Sequence, residues 1–168
     1  SWEAAVKTIA HAMDIVGRGK TIYIADGINY MGDVGVNGLN IRKNVNIIGM
    51  GDNVVIDADN NGRIFNIGAY TVKLSNLIFI NGNASGAGAK RGGALYVAGA
   101  TLTIDNCKFI NNTAGTISAS CGGAINLRTS TTTIKDSYFE NNIAFTSGGA
   151  VNADNNNTLL NISTSTFK

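Results

Sequence analysis

The sequence predicts an all-β solenoid, a parallel β-helix of about five coils with a capping α-helix at its N-terminal end. Three observations carry this. First, a unit recurs. Gly92-Gly93-Ala94-Leu95-Tyr96-Val97, Thr101-Leu102-Thr103-Ile104 and Asn106-Cys107-Lys108-Phe109-Ile110-Asn111-Asn112 return in order as Gly122-Gly123-Ala124-Ile125-Asn126-Leu127, Thr132-Thr133-Ile134 and Asp136-Ser137-Tyr138-Phe139-Glu140-Asn141-Asn142. Gly148-Gly149-Ala150-Val151-Asn152-Ala153 opens a third copy, and Val72–Asn81 is the second half of an earlier one. Phe79, Phe109 and Phe139 are spaced 30 apart, and Phe167 follows after 28. Second, each run is three to five residues long and alternates apolar with polar positions, which is strand periodicity. Third, the chain holds 21 glycines and no proline, as suits a sheet whose amides are used in ladders and whose turns are tight. A single short strand pair cannot bury its own apolar face, so the copies must stack.

In chain order, 1–17 is expected to be the helix. Ala4, Ala5, Ile9, Ala12, Met13 and Val16 recur at roughly helical spacing, with Ser1 as N-cap and Gly17 as terminator. Its place is over the hydrophobic end of the coil. Residues 20–168 form the coils. Lys20–Ala25 reads as the first strand, and Asp26–Gly38 as a glycine-rich surface loop. Leu39–Ile41, Val45–Gly49, Val54–Asp57 and Arg63–Ile67 follow as strands. From Val72 onward the repeat is regular, giving a rod about 25 Å tall at the strand spacing of a sheet. The loops 82–91, 113–121, 143–147 and 154–158 are each placed between a Phe-containing strand and the next strand, along one side.

Aligned columns become ladders. Phe79, Phe109, Phe139 and Phe167 are expected to stack inside the coil, beside Leu74, Ile104, Ile134 and Ile162. Asn81, Asn111 and Asn141 are expected to form an amide ladder at a turn, each bonding the copies above and below. Cys107 occupies a core column with Leu77, Ser137 and Ser165, and Cys121 precedes a Gly-Gly turn. The two are read as unpaired, with a disulfide pinning 113–121 as the alternative.

Charged residues are 14% of the chain with a net charge of +2 and no basic run, so nothing favours nucleic acid. No apolar stretch is long enough to span a membrane, and no signal peptide is visible. The chain begins at a helix and stops within a unit, and is read as a fragment of something longer. Sequons at Asn83, Asn111, Asn156 and Asn161 suit secretion.

Few residues offer chemistry. Asp57-Ala58-Asp59-Asn60-Asn61-Gly62 matches the first half of a calcium loop, but position twelve is Gly68 where the bidentate Glu belongs. Asp57, Asp59 and Asn61 are thus calcium candidates whose simpler reading is a polar turn; no other metal or cofactor is expected. His11, the single histidine, reads as a surface residue of the cap. A glycosidase needs two facing carboxylates. Asp105 and Asp136 stand in neighbouring coils but one column apart, and Arg128 is read as having no carboxylate in its own column. No catalytic residue is therefore expected. The Thr101/Thr103 and Thr131/Thr133 pairs read as β-branched residues on a solvated strand. Tyr30, Tyr70 and Tyr96 could stack on sugars if exposed. Tyr96, in an outward column beside Asn126 and Asn152, is the preferred binding residue, with Arg128 in the same strand set.

The paired signatures Gly-Gly-Ala-[Leu/Ile/Val] and Phe-x-Asn-Asn, over 72–168, closely resemble repeats of the chlamydial polymorphic outer-membrane proteins. They are also similar to the adhesin-like surface proteins of methanogenic archaea. Thr21–Gly27, Val45–Gly51 and Val55–Ala58 look like the N-terminal coils of the archaeal group. The resemblance implies a right-handed parallel β-helix of the pectin-lyase-like superfamily. It implies an extracellular, cell-surface protein that binds glycans or proteins of another cell, with no catalytic residues attached to the motif. The alternatives are a polysaccharide lyase or hydrolase and a structural stalk.

Overall fold

The computed structural model describes residues 5–31, 35–88 and 90–168. Ser1, Trp2, Glu3, Ala4 and the side chain of Tyr30 lie outside what is described. Each coil carries three main strands. The first holds β1 (Thr21–Ile24), β2 (Gly27–Tyr30) and β3 (Leu39–Ile41). The second holds β4 (Val45–Gly49), β5 (Val54–Asp57) and β6 (Phe65–Ile67), and the third β7 (Thr71–Ser75), β8 (Ile78–Ile80) and β9 (Leu95–Ala98). The fourth holds β10 (Thr101–Asp105), β11 (Lys108–Ile110), a short β12 (Thr113–Gly115) and β13 (Ile125–Arg128). The fifth holds β14 (Thr131–Lys135), β15 (Tyr138–Glu140), a short β16 (Ile143–Ala144) and β17 (Val151–Asp154). Finally β18 (Leu159–Ser163) and β19 (Thr166–Phe167) begin another turn.

Equivalent strands pair in parallel. The first sheet runs β1-β4-β7-β10-β14-β18, the second β2-β5-β8-β11-β15-β19 and the third β3-β6-β9-β13-β17. The chain is therefore a parallel β-solenoid of about five turns. Its core lies between the three sheets, because inward positions are the apolar half of every alternating strand. Rings of Phe79, Phe109, Phe139 and Phe167 stack with centroids 4.9, 4.9 and 4.6 Å apart, their planes nearly parallel. The stack rests on Ile56 above it in register, and Phe65 meets Phe79 edge-on at 5.8 Å. The aliphatic column is also in register and extends upward, as Ile22, Ile47, Leu74, Ile104, Ile134 and Ile162.

Several expectations are corrected. The helix, α1, spans only Ile9–Ile15, and its N-cap is Thr8, whose Oγ1 accepts the His11 amide at 3.1 Å. A capping hydroxyl inside the apolar pattern starts the helix there. Its end is set by the extended backbone of Val16, with Lys43 Nζ donating to the carbonyls of Met13 at 2.8 Å and Val16 at 3.0 Å. Ile9 and Met13 are buried in the main core, so the helix does pack on the first coil. The segment 26–38 is not simply a loop, since β2 supplies the second-sheet strand of the first coil. Its residues Gly27 to Tyr30 pair with Val54 to Asp57. That strand lacks an alternating apolar pattern because Ile28 faces solvent and Asn29 fills the inward column, donating to the Val55 carbonyl at 3.3 Å.

The amide ladder lies one residue later than expected. Asn81, Asn111 and Asn141 take left-handed backbone angles near +55°, turning their side chains out of the stack. Asn81 Nδ2 instead donates to Asp57 Oδ1 at 3.0 Å. The next residue points inward. Asn112 Nδ2 donates to Asn142 Oδ1 at 3.0 Å and to the Phe79 carbonyl at 3.2 Å, and Asn142 Nδ2 to the Phe109 carbonyl at 2.9 Å. These amides satisfy carbonyls that the turn would otherwise leave buried and unpaired.

Cys107 and Cys121 are both free and buried, which excludes the disulfide. Cys107 continues a column of small groups that reach the carbonyl two residues back. Its Sγ lies 3.4 Å from the Asp105 carbonyl, as Ser137 Oγ lies 2.8 Å from that of Lys135. Burial pushes the Cys107 thiol up from 9.0 to about 12. The folded thiol is thus favoured neutral, a contribution complete below pH 9 and lost as pH rises from 9 toward 12. A thiol reagent at pH 8 is expected to leave Cys107 unmodified until the chain is unfolded, and Cys107→Ala to flatten the alkaline loss of stability in a pH series of melting curves.

Loop placement is partly corrected too. Residues 113–115 and 143–144 pair as β12 and β16, and Asn83 bridges to Thr113, so three loops do stack on one side. The 154–158 loop leaves from β17 toward β18, at a different corner.

Candidate functional site

The outward face of the third sheet carries two parallel columns. In one, Asn40, Asn66, Tyr96, Asn126 and Asn152 are in register. In the other, two residues along the strands, Ala98, Arg128 and Asp154 are in register. Side chains two apart on a strand share a face, so Tyr96 and Arg128 are brought to one surface as neighbours in adjacent strands. Asp154 stands beside Arg128, so a carboxylate does occupy Arg128's column.

A groove of about 300 Å³ opens here, lined by Arg91, Tyr96, Arg128, Asp154 and Asn155. Among the described residues Asp154 is the one carboxylate lining it, and Arg91 Nη1 from the 82–91 loop binds its Oδ2 in an ion pair. Both side chains are about one-third exposed (33% and 29%), so the pair is reachable by solvent. The Arg128 side chain is exposed, and its guanidinium has no hydrogen-bond or ion-pair partner among the described residues. Between them, Asn126 is fully buried although it faces outward; its Oδ1 accepts Asn152 Nδ2 at 2.9 Å while its own Nδ2 has no hydrogen-bond partner among the described residues.

Tyr96 is held from behind. The Arg63 guanidinium lies 5.2 Å from the ring centroid. Arg63 itself is buried and donates to the carbonyls of Arg91 at 2.8 Å, Gly92 at 3.0 Å and Asn37 at 3.1 Å. Burial lowers it to about 10, so it stays charged at neutral pH. It therefore fixes both the Tyr96 ring and the backbone that carries Arg91. The alternating pattern does not reveal this role, because Arg63 reads there as the polar end of a strand.

The other candidates sit apart. Asp57 Oδ1 accepts the Asp59 amide at 2.8 Å and the Asn81 amide group at 3.0 Å, while Asp59 Oδ2 lies 3.5 Å from Asn61 Nδ2. This is a turn-capping arrangement, and no group of three or more His, Cys, Asp or Glu fit for a metal occurs among the described residues. Asp105 faces Lys135 in register, and Asp136 bonds Lys135 at 3.1 Å. The Thr164 hydroxyl, with Lys135, holds Asp136 below the usual carboxylate range. Tyr70 packs against the core, and His11 is exposed on α1. A larger groove of about 750 Å³ runs between α1 and β1, lined mainly by apolar side chains including Ile15, Tyr23 and Met50. No described helix is long and apolar enough to cross a membrane.

Comparison with family models, curated proteins and solved structures finds no match to this chain.

Proposed function

We propose that this chain is an extracellular, adhesin-like attachment domain that binds glycans or proteins of another cell, with the third-sheet groove as its glycan site. The observation that carries the reading is Arg128, an exposed guanidinium without a partner among the described residues, standing beside the partly exposed ring of Tyr96. An aromatic face with fixed hydrogen-bond donors beside it is what a sugar ring requires. Both residues stand on strands of a rigid stack, so little order is lost on binding. The resemblance of the repeat to adhesin-like surface proteins supports the same reading. Hydrolysis would need a second carboxylate across the groove, and Asp154 is already committed to Arg91.

The test is one incubation read twice. The purified domain is mixed with insoluble polysaccharides and whole cells, with and without calcium. Pelleted protein and newly released reducing or unsaturated ends are then measured. Pelleting without product is expected, and Tyr96→Ala should weaken it at least about ten-fold, roughly 1.4 kcal/mol, while leaving the β-rich circular dichroism spectrum intact. Product formation would replace this reading with a polysaccharide-cleaving enzyme. Neither signal would leave a stalk.

A further inference from the structure

We infer that the third-sheet groove selects acidic saccharides, through an imbalance of charge in which Arg128 is the residue left over. The inference rests on the glycan reading above and adds the chemical class of the ligand. Among the described residues, two guanidinium groups, Arg91 and Arg128, line the groove against one carboxylate, Asp154. Register alone would match Arg128 with Asp154, since they are direct neighbours in β13 and β17. The 82–91 loop changes that outcome by carrying Arg91 onto Asp154 Oδ2. Arg128 is thereby left exposed and unmatched among the described residues, with the buried Arg63 adding a further positive charge behind Tyr96.

A guanidinium in this state is a fork of donors with no acceptor, and it favours a carboxylate or a sulfate ester over a neutral hydroxyl. A saccharide lying on Tyr96 places a ring substituent toward the next strand, where Arg128 stands. Asp154 has the opposite effect. Its charge occupies Arg91 and disfavours a second anion in the groove, so Asp154 sets an upper limit on affinity for acidic ligands.

The full chain is titrated with three soluble probes. These are a uronate-containing oligosaccharide, the same oligosaccharide with its carboxyl groups reduced to alcohols, and an O-sulfated oligosaccharide of neutral sugars. Binding is followed by chemical-shift changes at low and moderate salt. At least one acidic probe should bind ten-fold or more tightly than the reduced one, with a preference that shrinks as salt rises. Which acidic probe binds tells carboxylate from sulfate ester. Arg128→Gln should abolish the preference and Arg128→Lys should keep part of it. Asp154→Asn should raise affinity for the acidic probe several-fold, a gain that mere loss of structure cannot produce. Equal binding of acidic and reduced probes would overturn the charge selection and leave the glycan reading standing. Binding of none of the three would overturn both. An acidic preference untouched by Arg128→Gln and Asp154→Asn would place the selection elsewhere and overturn the inference.

Discussion

Phe109→Ala is expected to destabilise the fold by about 3–5 kcal/mol, as for other fully buried aromatic residues cut to alanine. Phe109 is wholly buried and stacks on both sides, at 4.9 Å on Phe79 and 4.9 Å on Phe139. Its loss therefore empties the middle of a continuous stack, and the adjoining rings cannot close the gap because their backbones are pinned in register. Phe167 makes a sharp comparison. It is the last ring, stacked on one side and 44% exposed, so Phe167→Ala should cost clearly less. Denaturant unfolding of the two variants checks both statements. An unchanged midpoint for Phe109→Ala would mean that the ring does not point inward.

An effect at least as large is expected from Gly123→Ala, about 4 kcal/mol or more, at the level reserved for severe local conflict. The backbone of Gly123 is in ordinary conformational space, so the reason is one of distance alone. An added Cβ would fall onto the Gly149 carbonyl oxygen and the Ile143 amide nitrogen, and 2.7 Å from the Ile143 carbonyl carbon. These are main-chain atoms of the next coil, fixed by the sheet spacing, so no side chain can swing aside. Gly93 meets main-chain atoms of the equivalent residues one coil earlier, Gly123 and Thr113. Gly88→Ala serves as the contrast: its Cβ meets nothing within 4 Å among the described residues, and the variant should melt within a few degrees of the parent. Equal melting points for Gly88→Ala and Gly123→Ala would contradict the close approach of the coils.

The sequence by itself determined the repeating part of the molecule. Period, alternation and the Gly-Gly turns fixed which residues share a column, because stacked coils convert alignment directly into contact. Phe79, Phe109, Phe139 and Phe167 stack for that reason, and Tyr96 shares one column with Asn126 and Asn152. Where the repeat is irregular, the pattern failed. Strand β2 was hidden because an asparagine occupies its core position, and α1 was overextended because a capping threonine sits inside an apolar spacing. At the turns, alignment located the Asn-Asn pair but could not say which member points inward. The left-handed backbone of the first decides that. The groove was legible only in part. Tyr96 and Arg128 follow from column positions, whereas the pairing of Arg91 with Asp154 joins residues 63 apart in sequence and in different columns. Only the tertiary structure decided it, because a loop side chain crosses coils that the repeat relates merely by stacking. That crossing takes the carboxylate away from Arg128 and leaves the charge on which the proposed recognition depends.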